Sequence, residues 1–101
     1  MKLTHVRYKT KPEAIEENAG LIKKVFQELS AASPPGVHYM SLSLGDGTFV
    51  HFSAVEGDGP NPIPQLAAFK TFQSGIKERC VEPPKVSEAT VVGDYRMLGS
   101  R

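Results

Sequence analysis

The chain lacks most of the features that mark specialised classes of protein. Its 101 residues include no tryptophan and a single cysteine, Cys80, so no disulfide can form within the chain. Twelve basic and eleven acidic side chains nearly cancel, which removes the electrostatic argument for nucleic acid or an anionic membrane as a partner. No apolar run approaches the roughly 18 residues that span a membrane. The composition is that of an ordinary small domain.

Two further absences narrow the interpretation. Residues 1–5 lack the apolar segment of a secretion signal, which predicts a cytoplasmic protein. The three histidines, His5, His38 and His51, show neither HxH nor HxxxH spacing and no accompanying pattern of carboxylates. We therefore expect no metal site. A chain of this length buries one core, so residues 1–101 are predicted to form a single domain.

Turn signals divide the chain into strand, helix, strand, strand, helix and strand. This order predicts an α+β, ferredoxin-like βαββαβ domain with an antiparallel four-stranded sheet, in which the first strand lies between the third and the last. Thr10 and Glu13 have the spacing of a capping box at the start of the first helix. The predicted strands are Lys2–Lys9, Val37–Leu44, Thr48–Val55 and Val86–Leu98. The first predicted helix ends near Ala32, and the second runs from about Pro64 to Cys80.

The middle strands form a hairpin around Gly45-Asp46-Gly47, a three-residue turn in which Gly47 takes a positive φ. This turn pairs Met40 with Phe52 and Leu42 with Val50, so one face of the hairpin is apolar and is expected to lie under the helices. The opposite face is more polar. It carries Tyr39, Ser41, Ser43, Phe49, His51 and Ser53.

Helices on one face of a single sheet leave its other face bare. A bare sheet face of mixed polarity is often covered by a second copy of the chain. The order of elements therefore predicts a homodimer.

Three short segments stand out within this order of elements: Arg7–Glu13 (RYKTKPE), Glu17-Asn18 and Val25-Phe26. Together with the βαββαβ plan, they resemble the dimeric α/β-barrel superfamily, in particular the small proteins grouped with the antibiotic-biosynthesis monooxygenases. The resemblance covers nearly the whole chain. It implies two sheets paired into a barrel across a two-fold axis, with a pocket between sheet and helices in each subunit.

The resemblance also implies an activity. Enzymes of this kind oxidise phenolic or quinol-like aromatic substrates with molecular oxygen and without a metal or flavin cofactor, and a related branch degrades heme. The best-known members use an Asn with a Trp, and a Tyr or His, in the pocket. This chain offers Asn18, His51 and Tyr39 as catalytic candidates and has no tryptophan.

Asn18 is the first candidate because it lies between Ala14, Leu21 and Val25 at helical spacing. This spacing turns an amide toward the sheet from an otherwise apolar helix face. In a pocket, the amide could orient a substrate oxygen, since it both donates and accepts hydrogen bonds. The alternative is an amide that bonds only to backbone or water.

His51 shares its strand face with Tyr39, Ser41 and Ser53, a cluster of hydrogen-bonding groups. A histidine here could take the proton of a phenol, which activates the ring toward oxygen. The alternative is that this face forms the dimer interface, where polar side chains and water are tolerated.

Three phenylalanines at helical spacing, Phe26, Phe69 and Phe72, are predicted to pack in the core and to wall a substrate pocket. The predicted function is a cofactor-independent monooxygenase acting on a small aromatic. Two alternatives stay open: a non-enzymatic homodimer that binds a small hydrophobic ligand, and a heme-binding or heme-degrading protein.

Overall fold

An antiparallel sheet of four strands, with helices packed on one face, forms the framework of residues 2–97, which the computed structural model describes. The order across the sheet is β2-β3-β1-β4, so the predicted α+β, ferredoxin-like fold is confirmed. None of the helices in this range is long and apolar enough to cross a membrane. The elements are β1 (Lys2–Thr10), α1 (Ile15–Ala32), β2 (Val37–Ser43), β3 (Thr48–Val55), α2 (Ala67–Ser74), α3 (Ile76–Arg79) and β4 (Cys80–Thr90), with 3-10 turns at Pro12–Ala14 and Ile63–Gln65.

The β2–β3 hairpin has the predicted register, with Leu42 opposite Val50 and Met40 opposite Phe52. Gly47 has a φ of +96°, as the three-residue turn requires. A Cβ atom at this position would also lie 2.8 Å from the backbone oxygen of Thr10. The turn therefore seats closely against the end of β1.

The predicted orientation of the hairpin is wrong. Its more polar face lies under the helices, where Phe26 stacks on Tyr39 at 4.8 Å between ring centroids and Phe72 lies 5.7 Å from His51. Met40 and Leu42, on the other face, stay 37% and 45% exposed. Strand alternation separates two faces without saying which one the helices cover. Aromatic packing decides the choice, and the face of His51 is not the uncovered one.

The first helix begins later than its sequence suggests. Thr10 is the last residue of β1, and its hydroxyl donates to the backbone oxygen of Gly47 at 3.4 Å rather than capping a helix. A 3-10 turn at Pro12–Ala14 precedes α1, and no side-chain cap forms. The predicted capping box is therefore absent, because β1 keeps Thr10 in the sheet. The predicted end near Ala32 is confirmed.

The second helix is divided by Gly75 into α2 and α3. Glycine is a poor helix residue, and here it stands where the chain turns from one segment into the next. Glu28 on α1 holds the start of α2, since its carboxylate accepts hydrogen bonds from the backbone N–H groups of Ala67 and Ala68 at 3.2 and 2.8 Å. This carboxylate satisfies donors that a helix start leaves free.

The last strand starts at Cys80 and ends at Thr90, earlier at both ends than predicted. Pro83 and Pro84 lie within it, which is tolerated because β4 is an edge strand whose pairing with β1 is irregular here. Gly93 and Tyr95 follow the strand instead of belonging to it. The predicted end, Leu98, lies outside the described residues.

Candidate active site

Three buried side chains meet in a line of hydrogen bonds between the sheet and α1. The Asn18 amide nitrogen donates to the Tyr8 hydroxyl oxygen at 2.9 Å. The same hydroxyl lies 2.8 Å from Nε2 of His51. Tyr8 and His51 come from the neighbouring strands β1 and β3, where Val6 pairs with His51. Exposures of 0% for Asn18, 2% for Tyr8 and 5% for His51 place the line inside the protein.

The line continues beyond His51 to β2. Nδ1 of His51 lies 2.7 Å from the Ser41 hydroxyl and 3.0 Å from the Tyr39 hydroxyl, both on β2. Both ring nitrogens of His51 therefore have partners. No buried side-chain nitrogen or oxygen in residues 2–97 is left without a hydrogen bond.

At the other end of the line, Arg79 donates from Nε to the Asn18 side-chain oxygen at 3.0 Å. Its Nη2 donates to the backbone oxygen of Phe72 at 2.7 Å, and its guanidinium lies 5.3 Å above the Phe72 ring. Arg79 is only 6% exposed. Within residues 2–97, no carboxylate forms an ion pair with it. Hydrogen bonds and the aromatic ring stabilise this buried cation instead.

Burial sets the protonation of the line. It lowers the pKa of His51 to about 4, because a buried imidazole resists becoming charged. Burial also raises the pKa of Tyr8, although the hydrogen bond from Asn18 opposes this shift. The pKa of Tyr39 is raised by burial as well. At neutral pH the line therefore consists of a neutral imidazole between neutral phenols.

A cavity of about 230 Å³ lies against this line, between the sheet and α2. Exposed residues at its edge, Asn61, Gln73 and Val86, mark where it opens to solvent. Asn18 and Arg79 do not line it. Its other lining residues are Thr4, Val6, Tyr8, Tyr39, His51, Ser53, Ile63, Pro64, Phe69, Phe72, Ile76 and Pro84.

Two larger hollows lie elsewhere. One, of about 890 Å³, is a groove between α1 and β2 that includes Phe26. The other, of about 830 Å³, includes Met40 and Phe52 on the uncovered sheet face and residues 91–94 after β4. Tyr39 lines both of these hollows and Ser41 lines the larger one, but neither hollow contains His51 or Tyr8. Of the three, the small cavity is the one that reaches the imidazole of His51 and the phenol of Tyr8.

The structure brings together Asn18, His51 and Tyr39, the three predicted catalytic candidates. Phe69 and Phe72 line the small cavity as expected of pocket walls, whereas Phe26 stacks on Tyr39 outside it. No group of three or more His, Cys, Asp or Glu side chains in the described range is placed to hold a metal ion.

Sequence reasoning missed Tyr8 and Arg79. Tyr8 shares a strand face with Val6, and once β1 and β3 are paired this face adjoins His51. That signal was available from the predicted sheet order. Arg79 carried no such signal, because its burial results from tertiary packing against Asn18 and Phe72.

Comparisons with known proteins agree on the fold. No family model matches the chain, and no curated protein matches it. Solved structures do. A protein of unknown function from Nitrosomonas europaea superposes with a TM-score of 0.70 at 17% identity, covering 93% of this chain and 91% of that one.

Two further structures carry a functional name. One called antibiotic biosynthesis monooxygenase superposes with a TM-score of 0.66 at 18% identity, over 92% of this chain and all of the other. A protein from Caulobacter crescentus, provisionally given the same name, has a TM-score of 0.70 at 14% identity and 91% and 90% coverage. The chain has the fold of the antibiotic biosynthesis monooxygenase-like proteins. At such identities the likeness concerns the fold, and the chemistry of this chain depends on its own side chains.

Proposed function

We propose that the chain is a cofactor-independent monooxygenase that oxidises a small phenol- or quinol-like substrate in the 230 Å³ cavity. The observation that carries this proposal is the buried His51, hydrogen-bonded to Tyr8 and Tyr39 at the wall of an aromatic-lined cavity. The function of the similarly folded monooxygenase supports it by analogy.

The size of the cavity suits a single aromatic ring. Cavities of about 150 Å³ lined by apolar side chains hold benzene. At about 230 Å³, the cavity has room for one ring with small substituents. Phe69 and Phe72 offer aromatic contacts to it, while the hydroxyls of Tyr8 and Tyr39 supply the polar groups that fix its orientation.

Tyr8 is placed to pass a proton from substrate to His51. Its oxygen accepts one hydrogen bond from Asn18 and has a second lone pair for a substrate hydroxyl. As the substrate gives its proton to Tyr8, Tyr8 gives its own to Nε2 of His51. Tyr39, on the Nδ1 side of His51, also lines the cavity, where its hydroxyl can bind the substrate oxygen without taking its proton. Asn18 acts as a positioning residue through Tyr8.

Charge development in the cavity favours this transfer. The pKa of about 4 applies to His51 beside neutral groups. A phenolate formed next to the imidazolium raises that pKa, because opposite charges stabilise each other strongly where water is excluded. The buried Arg79 cation, linked to Tyr8 through Asn18, adds positive potential in the same region.

The oxidation balances without another reductant. The phenolate gives one electron to O2, and the resulting radicals combine to form a C–O bond at a ring carbon. The peroxide then breaks at its O–O bond, the ring carbon loses its hydrogen, and water leaves. For a phenol with a free para position, phenol plus O2 gives quinone plus water. The substrate supplies all four electrons, two for each oxygen atom of O2, and His51 returns its proton to the departing oxygen.

Oxygen uptake tests the proposal. With a panel of phenols and hydroquinones, we expect substrate-dependent O2 consumption and incorporation of one atom of labelled oxygen into the quinone. Replacing the base, as in His51→Gln, should lower kcat/KM by about 100-fold or more, as expected for loss of general base catalysis.

The matched control is His38→Gln, because His38 bonds Glu56 away from the cavity; it should behave as wild type. Equal activity of His51→Gln and wild type would contradict the proposed base. Binding of the phenols without any oxygen uptake would instead identify a ligand-binding protein.

We further propose that the chain forms a homodimer through the uncovered sheet face. Met40, Leu42 and Phe52 give this face its apolar side chains, and Met40 and Leu42 are each more than a third exposed. Light scattering should give twice the monomer mass. The double variant Met40→Glu/Leu42→Glu should be monomeric, whereas Lys24→Glu on the exposed side of α1 should remain dimeric. A monomeric wild type would contradict this proposal.

A further inference from the structure

We infer that Arg79 is a positioning residue that fixes the direction of the whole hydrogen-bonded line, and with it the tautomer of His51. In this tautomer, Nδ1 carries the proton and Nε2 is the acceptor that faces Tyr8. The catalytic use of Nε2 rests on the proposed function. The tautomer itself follows from the hydrogen-bond geometry around a neutral His51 and holds whether or not the protein oxidises phenols.

The direction is set where Arg79 meets Asn18. A guanidinium has five N–H donors and no acceptor. Its Nε lies 3.0 Å from one end of the Asn18 amide, so that end must be the oxygen. The amide nitrogen then points at the Tyr8 hydroxyl, 2.9 Å away, and donates to it.

The proton of the Tyr8 hydroxyl carries the donor-to-acceptor direction of the hydrogen bonds from Asn18 to His51. Because the Tyr8 oxygen accepts from Asn18, its own proton is free for the one remaining neighbour, Nε2 of His51 at 2.8 Å. A neutral imidazole carries one proton. With Nε2 accepting, that proton is on Nδ1, where it donates to the Ser41 oxygen at 2.7 Å and faces Tyr39 at 3.0 Å.

The reverse direction would bring like groups together. If Asn18 turned its oxygen to Tyr8, its NH2 group would face the guanidinium donor. Two donors, one of them charged, would then share a buried contact with no acceptor between them. Since Asn18 is fully buried, no solvent can relieve that contact.

The break in the second helix positions the guanidinium of Arg79. Because α2 ends at Ser74, the Phe72 backbone oxygen lies in its last turn and is available to Nη2 at 2.7 Å. Gly75 leaves room beside the guanidinium, since a Cβ there would lie 3.0 Å from Nη1. The glycine thus serves the orientation of Arg79 as well as the turn between helices.

Nitrogen NMR of protein labelled with 15N-histidine tests the inference on the whole chain near neutral pH. Long-range couplings from ring carbon-bound protons distinguish a protonated Nδ1 from a protonated Nε2 in each histidine, and loss of one set in His51→Gln assigns His51. We expect wild-type His51 to be the Nδ1–H form. A wild-type His51 protonated on Nε2 would overturn the inference.

Asn18→Asp is the sharpest variant, because a carboxylate accepts hydrogen bonds from both Arg79 and Tyr8. The Tyr8 proton then turns to the introduced carboxylate, and Nε2 of His51 must donate to Tyr8. We expect the tautomer to change from Nδ1–H to Nε2–H. An unchanged tautomer in this folded variant would overturn the inference.

Arg79 itself is tested by a pair of variants. Arg79→Met leaves the Asn18 amide free to turn, so a mixture of tautomers is expected, while Arg79→Lys keeps a donor and should restore Nδ1–H. If Arg79→Met does not fold, Asn18→Asp and Arg79→Lys still decide. Oxygen uptake by the same variants separates the two proposals: the predicted tautomers without turnover leave this inference standing and contradict only the proposed oxidation.

Discussion

Asn18→Leu should lower the free energy of unfolding by about 3 kcal/mol, although leucine is apolar and of similar size. The reason is the position of Asn18 between two groups that need it. Leucine leaves the Nε donor of the buried Arg79 without an acceptor and removes the donor to Tyr8. An unmatched charged donor in a dry site costs more than a neutral one. Urea unfolding of the two proteins measures the difference.

A double-mutant cycle identifies the source of this loss. Arg79→Met removes the charge that Asn18 satisfies, so the double variant Asn18→Leu/Arg79→Met should be more stable than the sum of the single effects predicts, by about 1 kcal/mol or more. A neutral or stabilising Asn18→Leu would contradict the account, since it would mean that Asn18 is a replaceable packing residue.

Lowering the pH from 6.5 to 4 should remove about 3 kcal/mol of stability through His51 alone. The pKa of His51 falls from its ordinary value of 6.5 to about 4 in the folded protein. Between pH 4 and pH 6.5, His51 is protonated in the unfolded chain and unprotonated in the folded protein. The free energy of unfolding therefore rises with pH in this window. The contribution is complete above pH 6.5 and is lost as pH falls toward 4.

Comparison with His51→Gln isolates this effect, because glutamine does not titrate. The difference in unfolding free energy between wild type and His51→Gln should shrink by about 3 kcal/mol from pH 7 to pH 4. A difference that stays constant with pH would mean that His51 is solvated or charged in the folded protein.

The plan of the fold could be predicted because local signals agreed. Gly45-Asp46-Gly47 fixed the hairpin register, and helical spacing marked α1 to its end. The ends of strands and helices that depend on contacts between elements could not be predicted. Thr10 has the spacing of a helix cap, yet pairing within the sheet keeps it in β1. Pro83 and Pro84 argue against a strand, yet the edge position tolerates them.

The hairpin orientation shows a different limit. Met40 and Phe52 look more like core than His51 and Ser41 do, when single residues are weighed by hydrophobicity. The helices nevertheless cover the face of His51, because the rings of Tyr8, Phe49 and Tyr39 pack there with those of Phe26 and Phe72. On that face Tyr39 and Ser41 form hydrogen bonds with His51, which a count of apolar residues does not reveal.

The candidate site was predictable only where one residue broke a pattern. Asn18 interrupts an apolar helix face, and His51 interrupts the pattern of its strand, so both could be predicted as candidates. Tyr8 fits its strand pattern, and its role comes from the two partners that the fold brings to its hydroxyl. Arg79 looks like an ordinary charge at a helix end. Its burial beside Phe72 follows from tertiary packing alone.

Binding of a nitrophenol tests the central claim most directly, namely that the cavity beside Tyr8 and His51 takes a phenol and its proton. The ionised and neutral forms of this phenol absorb at different wavelengths. At a pH below its own pKa, we predict that titration with wild-type protein produces the phenolate band, saturating at one ligand per chain, and that His51→Gln binds without producing it. A ligand that stays neutral when bound, or that does not bind, would contradict the account.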